Sequence, residues 1–195
     1  KTKRMDPDQL IILFGEGKFE DIIGVEETPQ IDFKRLFYDL KSDDKQFEFT
    51  KDIAAIANSK GGLICVGFEN GEDPEKLVSY AKSLAPMGNL KLDKKQLTQI
   101  LKNKIVPRLP EKLVEYKFYG DNNEYLVIEI SETPSELMPF LVAKKNNQME
   151  YFLCPFRNGA DTETFLHTRK IHEYISTGYQ KGATKDKDEL QEVNS

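Results

Sequence analysis

Ile53-Ala54-Ala55-Ile56-Ala57-Asn58-Ser59-Lys60-Gly61-Gly62-Leu63-Ile64-Cys65-Val66-Gly67-Phe68-Glu69-Asn70-Gly71 carries two hydrophobic periods back to back. Phe49, Ile53, Ile56 and Ala57 fall on one stripe of a helix running from Phe47 to Asn58. Leu63 to Phe68 is a continuous apolar run, the pattern of a strand buried on both faces. Gly61 can take positive φ at the helix C-terminus, and Gly62 lets the backbone pass close to a neighbour. Asn58 is placed to bond loose carbonyls of the last helical turn. A helix that reverses directly into a doubly buried strand implies helices packed on a sheet.

Outward from this stretch the chain alternates helical and strand signals. Asp6 and Pro7 open a short helix carrying Leu10, Ile11, Leu13 and Phe14 and ending near Gly15. Gly17 to Pro29 reads as an irregular acidic connection, and Gln30 to Phe37 as a strand. Asn70-Gly71 reads as a turn, followed by a helix over Pro74 to Leu84. Asp93 caps a further helix to about Ile105, stopped by Pro107 and Pro110. Leu113 to Tyr119 and Glu124 to Ile130 alternate around Asp121-Asn122-Asn123, a hairpin pattern. Phe140 to Ala143 and Glu150 to Phe156 make a second hairpin. A last helix carries Phe165, Ile171 and Ile175, and a polar tail expected to be disordered begins at Lys181. The fold class is therefore α+β, a mixed β-sheet with packed helices. The division is 1–26 for an N-terminal helix and connection, 27–180 for the main domain, and 181–195 for the tail.

Of the 195 residues, 38% are hydrophobic and 31% charged, which suits a water-soluble domain. No apolar run approaches the ~18–20 residues that span a bilayer, and no secretory signal is legible, so the expected location is cytoplasmic. Cys65 and Cys154 each sit in an apolar run and read as reduced core thiols. His167 and His172 are at the wrong offset for one helix face. A net charge of −5 argues against a general nucleic-acid coat protein but leaves room for a local basic groove.

Four segments resemble, in order and spacing, the Schlafen-type AlbA-like domain of bacterial regulators and Schlafen proteins. They are Glu27 to Lys34, Ile53 to Gly71, Ile105 to Pro107, and Tyr151 to Thr162 with its Arg157-Asn158-Gly159-Ala160 core. The most specific is the second, with Asn58, Gly61, Gly62 and Gly67. The resemblance implies that Glu27, Asp32 and Glu69 match an acidic triad of nucleases in this family. Three converging carboxylates, with Asn70 beside them, would hold Mg²⁺ or Mn²⁺ and activate water against a phosphodiester. This chain departs from the pattern in having Asp32 for the usual Glu and Asn70 where an acid is common. Family members are often labelled ATP-binding, yet no GxxxxGK[ST] loop is present.

Lys34, Arg35, Lys144, Lys145 and Arg157 are the candidate phosphate-binding cations, with Tyr38 or Tyr151 as stacking platforms. For Arg157-Asn158-Gly159 the plain structural reading is a turn relieved by Gly159, with Arg157 paired to Asp161. The leading expectation is a nucleic-acid-binding domain, for RNA or DNA, of a bacterial regulator or defence protein. The alternatives are a metal-dependent endoribonuclease and an ATP-binding or protein-interaction module. A homodimer is left open.

Overall fold

The computed structural model describes residues 2–88, 90–145, 150–159, 161–163 and 175–176. The expected last helix and tail, from 164 on, lie almost wholly outside the described residues, as does the boundary at 180.

The four-residue strand β1 (Ile31–Lys34) leads through helix α2 (Asp43–Ala57) into strand β2 (Gly62–Val66), which lies parallel to it. This βαβ unit is the expected helix-to-strand reversal. Antiparallel strands β6 (Val114–Tyr119) and β7 (Tyr125–Ile130) complete a sheet of order β1-β2-β7-β6. Successive residues of β2 supply opposite faces: Ile64 and Val66 join one apolar cluster, Leu63 and Cys65 the other. That division is why the run is apolar without a break. The first cluster includes Phe49, Ile53 and Ile56 of α2, and Leu97 and Leu101 of helix α3 (Lys94–Lys104). The second takes Leu10 and Phe14 of helix α1 (Pro7–Gly15), with Ile22 and Val25 after it. The N-terminal segment is thus one wall of the core. Its α1 begins with Asp6 and Gln9 in a reciprocal capping box.

The remaining strands form smaller units. β3 (Phe68–Asp73) and β4 (Val78–Leu84) make a two-stranded ribbon. β5 (Ile105–Val106), β8 (Leu141–Lys145) and β9 (Glu150–Leu153) make a three-stranded sheet. β10 (Phe156–Asn158) and β11 (Asp161–Glu163) pair around Gly159.

Two local expectations are corrected here. Pro74 to Leu84 is not a helix, and Asn70-Gly71 is not a turn but lies inside β3. The reversal falls later, where the Asp73 carboxylate accepts from the N–H of Glu75 (3.1 Å) and of Lys76 (3.2 Å), and Leu77 takes φ +54°. The stretch from Gly17 to Pro29 also holds a short 3-10 turn at Phe19–Ile22.

Asn58 serves longer connections than its own helix end. It is buried, and its Nδ2 donates to the carbonyls of Phe140 (2.8 Å) and Pro155 (3.0 Å). Its Oδ1 accepts from the Phe140 N–H at 2.7 Å. The expected bond to a loose helical carbonyl is made instead by Ser59, whose hydroxyl donates to Ala55 O at 3.0 Å. Asn58 therefore ties the end of α2 to the segments that lead into β8 and β10.

Candidate functional site

β1 is an edge strand, and its backbone dictates the site. The carbonyls of Gln30 and Lys34 accept from Leu63 N–H (2.7 Å) and Gly67 N–H (2.8 Å) on the β2 side. Strand alternation then turns the backbone groups of Ile31 and Phe33 away from β2. Those of Ile31 pair with the Thr28 backbone, Ile31 N–H donating to Thr28 O (3.2 Å) and Thr28 N–H to Ile31 O (3.0 Å), and those of Phe33 are met by side chains. Phe33 N–H donates to Glu27 Oε1 at 2.9 Å, and Phe33 C=O accepts from Asn70 Nδ2 at 3.0 Å. The same Asn70 amide donates to Glu27 Oε1 at 3.0 Å. The Arg157 Nη2 donates to Thr28 O at 3.2 Å and reaches Ile31 O at 3.5 Å.

The side chains of β1 divide by the same alternation. Ile31 and Phe33 enter the apolar cluster on the α1 side. Asp32 and Lys34 face the other way, and a polar cluster forms against α2. Asp32 Oδ1 accepts from Arg157 Nη1 at 3.1 Å, and its Oδ2 is 2.9 Å from Lys34 Nζ. Lys34 Nζ lies 3.3 Å from Asp52 Oδ2, which accepts from the Tyr38 hydroxyl at 2.7 Å. Asp32 is 3% exposed, and the Arg157 side chain likewise 3%. The Arg157 Nε is buried without a hydrogen-bond partner among the described residues.

Burial, and then the nearby Asp32 charge, push the Glu27 carboxyl up to about 7. Burial also raises the Asp32 carboxyl, against the pull of Lys34 and Arg157. Asp32 touches two cations while Glu27 touches two amides, so the proton held near neutrality sits on Glu27. Burial would lower the Lys34 ammonium, but Asp32 and Asp52 more than reverse that and raise it. A carboxyl raised in the folded state keeps its proton while the unfolded chain loses it. Stability should therefore fall as pH rises from the ordinary glutamate range to about 7, and level off above. Glu27→Gln should flatten that slope, because its amide oxygen can still accept from Phe33 and Asn70. Melting temperatures of both proteins across this range check it; parallel slopes would contradict it.

Of the expected acidic triad, Glu27 and Asp32 come together. Glu69 stands apart on the rim, 3.1 Å from Arg35 Nε. Asn70 rather than Glu69 faces Glu27. Among the described residues no three His, Cys, Asp or Glu side chains are grouped to hold a metal ion. The donor set also resists one. Glu27 Oε1 is taken by two N–H donors, and both Asp32 oxygens already face cations. The residues as arranged do not fit Mg²⁺ or Mn²⁺. Outside Glu27 lies a cleft of about 500 Å³ whose walls include Glu26, Glu72, Asp73 and Asp161, with Arg4. Glu26 there is held well below the usual carboxylate range, at about 2, first by Lys76 and then by Thr2.

Asn70 is the residue that keeps this centre neutral enough to close. Asn70→Asp would set a carboxylate against Glu27 and the Phe33 carbonyl in place of two donated hydrogen bonds. The expected cost is about 2–4 kcal/mol at neutral pH. The loss should shrink on acidification, when the pair can share protons. Chemical denaturation at neutral and acidic pH measures both, and a loss that does not depend on pH would contradict the account.

The five expected cations do not form one groove. Lys34 and Arg157 are internal counter-ions of Asp32. The expected Arg157–Asp161 pair is replaced by Arg157–Asp32, with Thr162 Oγ1 at 3.3 Å as a further acceptor. Arg35 is exposed beside Glu69, and Lys144 Nζ lies 4.5 Å from the Phe47 ring centroid. Lys145 is exposed at the end of β8. Tyr38 packs edge-on to Phe49 at 5.3 Å between centroids, partly buried against the core, whereas Tyr151 is exposed on β9. Sequence reasoning missed Asp52 and the bonding role of Asn70. A signal for Asp52 was present, since it is a charged residue within the apolar half of α2.

Residues 27–165 match the family described as Schlafen, AlbA_2, and the chain belongs to that family. No curated protein matches the chain. Among solved structures it is similar to the DIP2311 protein of Corynebacterium diphtheriae, at 16% identity and a TM-score of 0.41, over 70% of this chain and 22% of that one. It is also similar to the N-terminal domain of a RecG-related protein from Nitrosomonas europaea, at 18% identity and a TM-score of 0.40. That likeness covers 80% of this chain and 93% of the other. The chain thus spans about a fifth of the first of these proteins and nearly all of the second domain.

Proposed function

We propose that the chain is a nucleic-acid-binding domain that holds its ligand without cutting it. Membership of the Schlafen AlbA_2 family supports association with nucleic acid. The observation that carries the second half is the closure of both central acids by the chain's own donors, Asn70 on Glu27 and Arg157 with Lys34 on Asp32. A phosphodiester approaching Glu27 would also enter a cleft walled by further carboxylates. Phosphate contacts fall instead to the outward cations Arg35, Lys144 and Lys145. Three such contacts on a single strand give a slope of log K against log salt of about −2.

Labelled single-stranded and hairpin oligonucleotides of RNA and DNA, titrated by anisotropy over a salt series with and without Mn²⁺, test this reading. The expected result is salt-sensitive binding and intact oligonucleotide in both conditions. Absence of binding would overturn it. So would Mn²⁺-dependent cleavage that disappears in Asp32→Asn, which would establish the endoribonuclease instead.

A further inference from the structure

On the side of the molecule where α2 ends, a second cleft of about 700 Å³ opens among elements distant in sequence. Its walls include Met5 and the exposed Asp6 ahead of α1, Pro29 ahead of β1, Lys60 after α2, Met138, and Phe156 and Arg157 of β10. The chemistry is uneven. Two thioethers, a proline ring and an aromatic ring supply a polarizable apolar lining. Lys60 stands exposed at the rim. Arg157 brings the buried guanidinium whose Nε–H has no acceptor among the described residues. A site of this size suits a drug-sized or nucleotide-sized ligand. The combination asks for a flat, π-rich group with a carbonyl acceptor and an attached negative charge.

We infer that this cleft takes one unstacked base of a bound single strand, with the adjoining phosphate on Lys60. The inference rests on the nucleic-acid reading above and adds the place and the strand state of the ligand. Base faces stack on aromatic side chains irrespective of sequence, and sulfur contacts ring edges favourably. A base carbonyl supplies the acceptor that Arg157 lacks. A duplex keeps its bases stacked inside and cannot offer one, so the cleft discriminates single strands from duplex. The cleft beside Glu27 sets five carboxylates against Arg4, whereas this one sets Asp6 against Lys60 and Arg157, so a backbone is repelled by the first more than by the second.

The test uses a single-stranded oligonucleotide carrying 5-iodouridine, the matching duplex, and a free mononucleotide. Irradiation should place the cross-link on the peptides containing Met138 or Phe156. Phe156→Ala and Lys60→Glu should each weaken single-strand binding, by about tenfold for the lost stacking partner, and leave duplex binding unchanged. Phe156→Trp should restore it, which a general loss of folding would not allow. Melting curves of each variant accompany the titrations. Cross-links mapping elsewhere, or undiminished single-strand affinity in folded Phe156→Ala, would overturn the cleft assignment and leave nucleic-acid binding standing. Failure of the wild-type protein to bind any oligonucleotide would overturn both. Binding of the mononucleotide alone would assign the cleft to a free nucleotide and overturn the strand assignment.

Discussion

Gly62→Val should prevent the domain from folding. Gly62 has φ +151°, and a Cβ placed there would lie 2.1 Å from the carbonyl oxygen of Gln30. That oxygen cannot retreat, because Gln30 O accepts from Leu63 N–H at 2.7 Å and fixes the parallel register of β1 on β2. Backbone therefore meets backbone, with no flexible side chain to give way. Gly61 repeats the problem one residue earlier, with φ +71° and Ile130 O at 2.6 Å from its would-be Cβ. The expected loss at Gly62 is about 4 kcal/mol or more, most or all of a typical domain's stability. Circular dichroism and a denaturant titration read it directly. A cooperative transition near the wild-type midpoint would show that the strands can separate to admit the side chain.

Arg157→Ala should be nearly as damaging, for electrostatic reasons. Its guanidinium links the β10–β11 ribbon to β1, and it neutralises Asp32 at 3.1 Å with both side chains almost wholly buried. Removing it leaves Asp32 with Lys34 as its one near cation and Asp52 as a nearby like charge, while the carbonyls of Thr28 and Ile31 keep their backbone partners. The expected loss is about 3 kcal/mol, since breaking a buried pair leaves the remaining charge only partly compensated, here by Lys34 alone. Asp32→Asn in the Arg157→Ala background should recover part of that loss, because it deletes the charge that was left behind. A double mutant as unstable as the sum of the two single changes would assign the damage to lost packing alone.

How much of this was legible in the sequence depends on the distance over which each decision is made. The reversal at Gly61-Gly62 was readable because two hydrophobic periods abut there and only glycine tolerates the join. The caps at Asp6 and Asp93 were readable because capping is settled within three residues. The β3–β4 ribbon was not. Leu77, Tyr80, Ala81 and Leu84 repeat at helical spacing, yet only Ala81 of these is fully buried. A two-stranded ribbon half in solvent imposes little alternation, and its turn uses Leu77 at positive φ where glycine or asparagine would have announced it. The candidate site was legible as composition but not as geometry. Glu27, Asp32 and Asn70 were singled out by their resemblance to the acidic pattern of the Schlafen family. The partner that closes Asp32 lies 125 residues away in sequence, beyond the reach of any local pattern.

The side chains gathered along β1 also govern how the molecule meets copies of itself. A bare outer strand is a template on which another chain can extend the sheet. Here Phe33 offers neither its N–H nor its C=O, since Glu27 and Asn70 occupy them, and Arg157 lies across the carbonyls of Thr28 and Ile31. Three polar side chains, with the Thr28 backbone bonded to Ile31, thus stand in for a missing neighbour strand while leaving nothing for a foreign one to grip. Any self-association of the intact domain must then use another surface. Variants that empty these positions would be prone to sheet-extending aggregation as well as to unfolding.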